Sequence, residues 1–293
     1  MQPDSFSVQL ADGIESIIRH YPAAGRTRLY ISHGNGFAVY GYRVFWEPLL
    51  EVFDVVLFDM RNHGLNTSAG ADGHNYQQMA HDLTTIHKMT ERQLGSSKSI
   101  GVFHSMSSRA AMKNAVDFGS PFDGLVLYDP PSVPPRGHPL YEAMRGFELK
   151  LVQWAWDRQD AFDTPAELEA IYAEARASSR WLPQARADMA RAVLKKDSTS
   201  GYRLSCAREL EASIYLAALT LDLWPTAAAL GVPTRLVGAD PLGRSGPPTG
   251  PANHALAQEG NYDYIGVEHA GHLLQIEKPE ECRQALMDFV ATI

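Results

Sequence analysis

Ser105 stands in Val102-Phe103-His104-Ser105-Met106-Ser107-Ser108, after a short apolar stretch and before Met106 to Phe118, whose spacing predicts a helix. On a sharp strand-to-helix turn, a serine hydroxyl is lifted above the sheet edge. The N–H of the next residue, Met106, then points with the helix dipole toward a developing oxyanion. A serine before a helix is also an ordinary N-cap, so this segment alone leaves both readings open. A hydroxyl becomes a nucleophile when an imidazole removes its proton and a carboxylate fixes the tautomer of that imidazole and stabilises its cation. His272, in Glu268-His269-Ala270-Gly271-His272, follows a strand-like stretch in a Gly turn and is the best placed of eleven histidines, with His269 as its nearest rival. Asp240 comes directly after the stretch Thr234 to Gly238 and is the expected carboxylate. His33-Gly34-Asn35-Gly36-Phe37 is either a strand-ending turn or a Gly-rich loop whose N–H groups reach a tetrahedral intermediate.

These residues follow short runs rich in Val, Ile, Leu and Tyr that alternate with longer stretches of helical spacing, the pattern of a parallel sheet with crossover helices. Strands are predicted at Arg28 to Ser32, Asp54 to Asp59, Ser99 to His104, Gly124 to Asp129, Thr234 to Gly238 and Asp263 to Val267. The carboxyl ends of parallel strands are where ligands collect, which puts the chemistry in the loops after them. About a hundred residues separate Asp129 from Thr234, far more than one crossover helix needs. Thr164-Pro165-Ala166-Glu167 reads as an N-cap, a proline at the first helical position and a reciprocal glutamate. With Phe147 to Trp156 and Ala207 to Leu219, it predicts an all-helical insertion over the sheet edge. The expected division is a core of residues 1–133 and 220–293 and a helical cap of 134–219. Pro241 to Pro251 reads as a surface loop.

Composition narrows the partners. A net charge of −8 on 293 residues disfavours contact with phosphate backbones and anionic lipid, so neither nucleic acid nor a membrane is expected as a partner. Met1 to Ser7 shows no basic segment leading into an apolar one, and no apolar run is long enough to span a bilayer. The two cysteines, Cys206 and Cys282, lie far apart and suit a reducing compartment. A cytoplasmic protein acting on a small molecule is the expectation, and the composition leaves its oligomeric state open.

Taken in order, His33 to Phe37, Asp59-Met60-Arg61-Asn62-His63-Gly64, His104 to Ser108, Asp240, and Gly271-His272 followed by Glu277-Lys278-Pro279-Glu280-Glu281 resemble the α/β-hydrolase family, in its capped serine-hydrolase branch, over almost the whole chain. The resemblance implies an α/β fold, a mostly parallel central sheet flanked by helices, with an inserted helical cap. It implies Ser105 as nucleophile, His272 as base and then acid, Asp240 as orienting carboxylate, and the N–H groups of Asn35 and Met106 as oxyanion hole. Some branches take the acid from the position of Asp129. Here Pro130 and Pro131 follow it at once, which favours a structural turn or a pocket wall, so Asp129 stands as the alternative acid. Asp59 and Asp82 read as loop and helix-surface carboxylates.

The elbow of that family usually has glycine where this chain has Phe103 and Ser107. Either neighbouring side chains make room for the Phe103 ring or the elbow changes shape. A serine nucleophile argues against the dehalogenase and epoxide-hydrolase relatives, which attack with aspartate. Hydrolysis of an ester, thioester or lactone, with no metal or organic cofactor, is the implied chemistry. The substrate is expected to be small to medium and apolar, with Gly36, Phe37, His104, Trp154 and Trp181 as its contacts. The same triad also serves carbon-carbon hydrolysis of β-diketone-like substrates and acyl transfer, and Phe103 motivates a third reading, a non-turnover small-molecule receptor.

Overall fold

The computed structural model describes residues 2–197, 201–243 and 246–293, so Met1 and, within the expected loop Pro241 to Pro251, Arg244 and Ser245 lie outside the described residues. The chain enters through an antiparallel hairpin of β1 (Asp4–Gln9) and β2 (Glu15–Tyr21). It continues through β3 (Arg28–Ile31), α1 (Arg43–Trp46), β4 (Asp54–Phe58), α2 (Tyr76–Leu94), β5 (Ser99–His104), α3 (Met106–Phe118) and β6 (Gly124–Tyr128). An insertion follows, made of α4 (Tyr141–Asp157), β7 (Ala161–Phe162), α5 (Pro165–Glu174), α6 (Pro183–Ala192), β8 (Leu194–Lys196), β9 (Tyr202–Leu204) and α7 (Arg208–Ala218). The chain then returns through β10 (Thr234–Gly238), α8 (Thr249–Gly260), β11 (Asp263–Gly266), α9 (Leu274–Glu277) and α10 (Pro279–Val290).

Eight strands form one sheet in the order β1-β2-β4-β3-β5-β6-β10-β11. From β4 to β11 every pairing is parallel, and β1 and β2 add an antiparallel edge. All six predicted strands form. The hairpin was not predicted: β1 does alternate, with Phe6 and Val8 between polar residues, but it is a short edge strand, and β2 buries the polar Ser16, Arg19 and His20, which breaks the apolar pattern of its partner.

Both faces of the parallel strands are covered, which is why these strands read as continuous apolar runs. Leu29, Ile31, Val55, Leu57, Val102, Val126 and Val237 pack with Phe45 and Trp46 of α1 and Leu286 and Phe289 of α10. Their sequence neighbours Tyr30, Val56, Phe58, Phe103, Leu125, Leu127 and Leu236 pack on the opposite face with Met79 and Leu83 of α2, Met112 of α3 and Leu256 of α8. At about 1.5–3 kcal/mol for each large apolar side chain removed from water, these two layers are the main source of stability.

The insertion is not all-helical as predicted. β7, β9 and β8 make a small antiparallel sheet, in strands of two or three residues that are too short to leave an alternating signature. At α5, Pro165 takes the first helical position, but Glu167 Oε2 accepts from the N–H of Asp163 (2.9 Å) and the Thr164 side chain makes no cap bond. Bonds to the loops at the carboxyl ends of the strands hold the insertion in place. Asn35 Nδ2 donates to Glu211 O (2.8 Å), Gly64 N–H to Ser205 Oγ (3.0 Å) and Leu182 N–H to Ile276 O (3.2 Å). Thr249 to Pro251, predicted as loop, open α8. Asp59 and Asp82 are both buried, paired with Arg19 (2.9 Å) and Arg61 (2.7 Å), so the helix-surface reading of Asp82 is corrected.

Candidate active site

Ser105 connects β5 to α3 with φ 53° and ψ −111°, a conformation an L-residue enters only when its surroundings impose it. Its N–H donates to Tyr128 O (2.9 Å), and Arg109 N–H closes the first helical bond onto Ser105 O (3.0 Å). Ser107 stabilises the turn from the position where glycine was expected: its Oγ accepts from His104 N–H and donates to His104 O, both at 3.0 Å. The bulk of Phe103 is absorbed by a missing side chain two residues earlier. A Cβ on Gly101 would lie 2.5 Å from the Phe103 ring, which fills that space and packs edge-on against Phe58 and Phe122.

Ser105 Oγ donates to His272 Nε2 at 2.9 Å, and His272 Nδ1–H donates to Asp129 Oδ2 at 2.6 Å. Asp129 is fully buried and takes φ 42° directly after β6; its second oxygen accepts from Ala239 N–H (2.8 Å) and Asn253 Nδ2 (2.7 Å). Burial pushes its carboxyl up, but the bonds from His272 and from the Ala239 N–H outweigh this and hold it below the usual carboxylate range.

The expectation that Asp240 orients His272 is therefore corrected. The Asp240 carboxylate folds back onto its own surroundings, accepting from the N–H groups of Leu242 (2.9 Å) and His269 (3.0 Å). β6 neighbours β5 directly, whereas β10 lies one strand further out, so the carboxylate after β6 is nearer the elbow. His269 is also excluded as the base partner of Ser105: its side chain is 85% exposed and lies 3.9 Å from Asp240. A polar recess of about 180 Å³, lined by Arg180, Asp240, Pro247 and His269 among others, lies beside this pair.

The turn His33 to Phe37 packs directly on the elbow. A Cβ on Gly34 would lie 2.9 Å from His104 Nδ1 and 3.1 Å from Ser105 Cβ, so glycine is what permits the approach. Three N–H groups of the turn are occupied: Gly34 donates to Tyr42 Oη (3.2 Å), Gly36 to His63 Nε2 (3.1 Å) and Phe37 to Gly34 O (3.2 Å). Asn35 N–H has no acceptor among the described residues. Met106 is the first residue of α3, where an N–H has no intrahelical partner. The buried rings of His33 and His63 shape the turn. His33 Nδ1–H donates to Gly34 O (2.8 Å) while its Nε2 accepts from Met60 N–H (3.1 Å), and His63 Nδ1–H donates to Arg61 O (2.8 Å). Burial lowers the pKa of both, so they act as neutral rings.

A family model described as the alpha/beta hydrolase family matches residues 29–285. The chain belongs to the alpha/beta hydrolase family. No match is found among curated proteins. Among solved structures, E-2-(acetamidomethylene)succinate hydrolase is similar with 19% identity and a TM-score of 0.79, over 99% of each chain. The enol-lactonase from Burkholderia xenovorans LB400 is similar with 17% identity and a TM-score of 0.70, over 98% of this chain and 100% of that one. A thermophilic esterase from Thermogutta terrifontis follows with 18% identity and a TM-score of 0.69, over 99% of this chain and 98% of that one.

Within this alpha/beta hydrolase, the expected substrate contacts divide. His104 is fully buried and both ring nitrogens are used: Nδ1 accepts from Tyr42 Oη (2.8 Å) and Nε2–H donates to His272 O (2.8 Å). It holds the backbone of His272 and has no free ring nitrogen for a substrate, and burial, with His272 alongside, lowers its pKa to about 3. Trp154 is 47% exposed, with the Arg158 guanidinium 4.7 Å over its ring, so it faces outward. Trp181 is buried between Phe37 and Tyr172. Gly36, at φ 72°, is covered by the carboxylate of Glu211, which leaves no room for a Cβ. Glu211 pairs with Arg158 (2.8 Å) and Glu148 with Arg109, so the insertion buries charged pairs as well as the aromatic residues on which an apolar lining was predicted. Sequence reasoning missed Tyr42, Arg109, Glu148, Arg158 and Glu211. Only Arg109, one helical turn after Ser105, carried a signal of position.

Proposed function

We propose that this hydrolase is a serine hydrolase that opens a carboxylic ester, thioester or lactone of a small molecule through an acyl-enzyme. The observation that carries the reading is the unbroken hydrogen-bonded chain Ser105–His272–Asp129, with Ser105 held at a positive φ between β5 and α3. As Ser105 Oγ attacks the acyl carbon, His272 Nε2 takes its proton and the ionised Asp129 stabilises the imidazolium through Nδ1–H. The oxyanion receives the free N–H groups of Asn35 and Met106, each worth about 3 kcal/mol to the transition state. His272 then protonates the leaving oxygen or sulfur, and the acyl group stays on Ser105. A water deprotonated by His272 attacks this acyl-enzyme, and collapse releases the acid and restores the Ser105 hydroxyl. The insertion, assigned to 134–219 over a core of 1–133 and 220–293, acts as the cap that excludes solvent.

Fluorophosphonate labelling with peptide mass spectrometry tests the nucleophile. The expected adduct is on Ser105 alone, lost in Ser105→Ala together with hydrolysis of short p-nitrophenyl esters. A folded protein that does not label overturns the reading.

A further inference from the structure

Glu148, on α4, is fully buried, and its Oε1 accepts from Arg109 Nη2. Arg109 lies one turn after Ser105 and also donates to Pro131 O, two residues past Asp129, and to Tyr76 Oη (3.0 Å). The ion pair is thus tied both to the helix that carries Ser105 and to the loop that carries Asp129, within electrostatic reach of the His272 imidazole. Its second oxygen, Glu148 Oε2, is buried and meets no donor. Burial pushes this carboxyl up, but protonating it would strand the Arg109 charge in the same interior. The pair therefore stays ionic, and Oε2 acts only as an acceptor.

Asn35 repeats the pattern on the turn that packs against Ser105. Its Nδ2 donates to Glu211 O (2.8 Å), which fixes the orientation of the amide, and Oδ1 is left buried without a donor. Buried polar groups of native proteins are satisfied by protein, water or ligand, and an unsatisfied carboxylate oxygen is among the costliest exceptions. Both vacant groups are acceptors, so what completes them brings N–H or O–H.

We infer that the acyl group cleaved at Ser105 carries a hydroxyl or an amide N–H near the scissile carbonyl, received by Glu148 Oε2 with Asn35 Oδ1 as a second acceptor. This deepens the serine-hydrolase reading and rests on it, and it replaces the apolar substrate expected from the sequence. A site built to receive a donor discriminates strongly against the isostere that lacks one.

Two ester pairs, each differing at one group, test the inference. Methyl 3-hydroxybutanoate is compared with methyl 3-methylbutanoate, and methyl N-acetylglycinate with methyl 4-oxopentanoate. Each kcat/KM is divided by the hydroxide-catalysed rate constant of the same ester. The donor-bearing member of at least one pair is expected to be preferred by about tenfold or more. In Glu148→Gln, the amide oxygen can remain on Arg109 while an NH2 replaces the vacant acceptor, so the preference falls to near one or reverses. A wild-type ratio near one, meaning that ordered water alone serves these oxygens, overturns the inference, as does a preference that Glu148→Gln leaves unchanged. Should the wild type turn over no ester, protection of Ser105 from fluorophosphonate by each pair is the readout, and equal protection overturns the inference. Failure of Ser105 to label overturns the hydrolase reading and the inference with it, whereas labelling with no donor preference overturns the inference alone.

Discussion

Asp129 Oδ2 stands 2.6 Å from His272 Nδ1, while Asp240 spends its carboxylate on the backbone N–H groups of Leu242 and His269. The carboxylate bonded to His272 therefore follows β6, the strand beside the one that leads to Ser105. Asp129→Asn leaves the contact in place with a neutral, mis-polarised partner and is expected to lower kcat on the order of 10⁴-fold. Asp240→Asn is expected to stay within about tenfold of wild type. Ester hydrolysis by the two variants, measured side by side, checks the assignment, and the reverse ranking moves the acid back to Asp240.

The ring of His104 links the turn His33 to Phe37 to His272, with Gly34 N–H on Tyr42 Oη, Tyr42 Oη–H on His104 Nδ1 and His104 Nε2–H on the His272 carbonyl. Tyr42→Phe removes the middle of this relay without touching Ser105 or His272. The expected result is a fall in kcat of about tenfold with KM changed less than about threefold, since geometry of the transition state is lost and ground-state binding is not. The rate of fluorophosphonate labelling should fall in parallel. An unchanged labelling rate would show that His272 keeps its place unaided.

Gly101 and Phe103 share one volume. In Gly101→Ala the new Cβ meets the Phe103 ring at 2.5 Å and Leu125 Cδ2 at 2.8 Å, an overpacking expected to cost about 1–3 kcal/mol in urea denaturation. Adding Phe103→Leu shrinks the intruding ring and should recover at least half of the loss. No recovery would mean that Leu125, and not the ring, limits the space.

His74 gives a pH dependence of defined sign. Burial lowers its pKa to about 4 in the folded chain, against an unfolded value of about 6.5. Between these values the unfolded state binds the extra proton, so stability falls as pH drops from 6.5 to 4, by about 1.4 kcal/mol per pH unit. The buried carboxyls of Asp82, Glu148 and Glu277, which burial raises, act in the opposite sense. The difference in unfolding free energy between wild type and His74→Gln isolates the histidine and should shrink by roughly 3 kcal/mol from pH 7 to pH 4. A difference that is flat across this range refutes the neutral, buried assignment.

Local chemistry made much of this legible in the sequence. Most of the parallel strands are buried on both faces and so read as uninterrupted apolar runs, and Ser105 and the turn His33 to Phe37 each sit where such a run ends, whereas His272 follows the half-buried edge strand β11. The hairpin β1–β2 and the three short strands of the insertion were not predicted from the sequence, because β1 is a mostly exposed edge strand, β2 buries the polar Ser16, Arg19 and His20, and the strands of the insertion are only two or three residues long.

The sequence by itself determined the layered α/β architecture, because strands buried on both faces and the helices between them leave distinct local patterns, and it singled out Ser105 and His272 by the turns in which they stand. Which aspartate faces His272 was decided by the order of strands in the sheet and by the φ of 42° at Asp129, and neither can be read from neighbours in the chain. The same holds for the buried ion pair of Arg109 and Glu148. Arg109 and Glu148 are thirty-nine positions apart, as are no residues a local pattern could pair. Their buried contact exists only because the tertiary fold brings α4 of the insertion within side-chain reach of α3, the helix that follows Ser105.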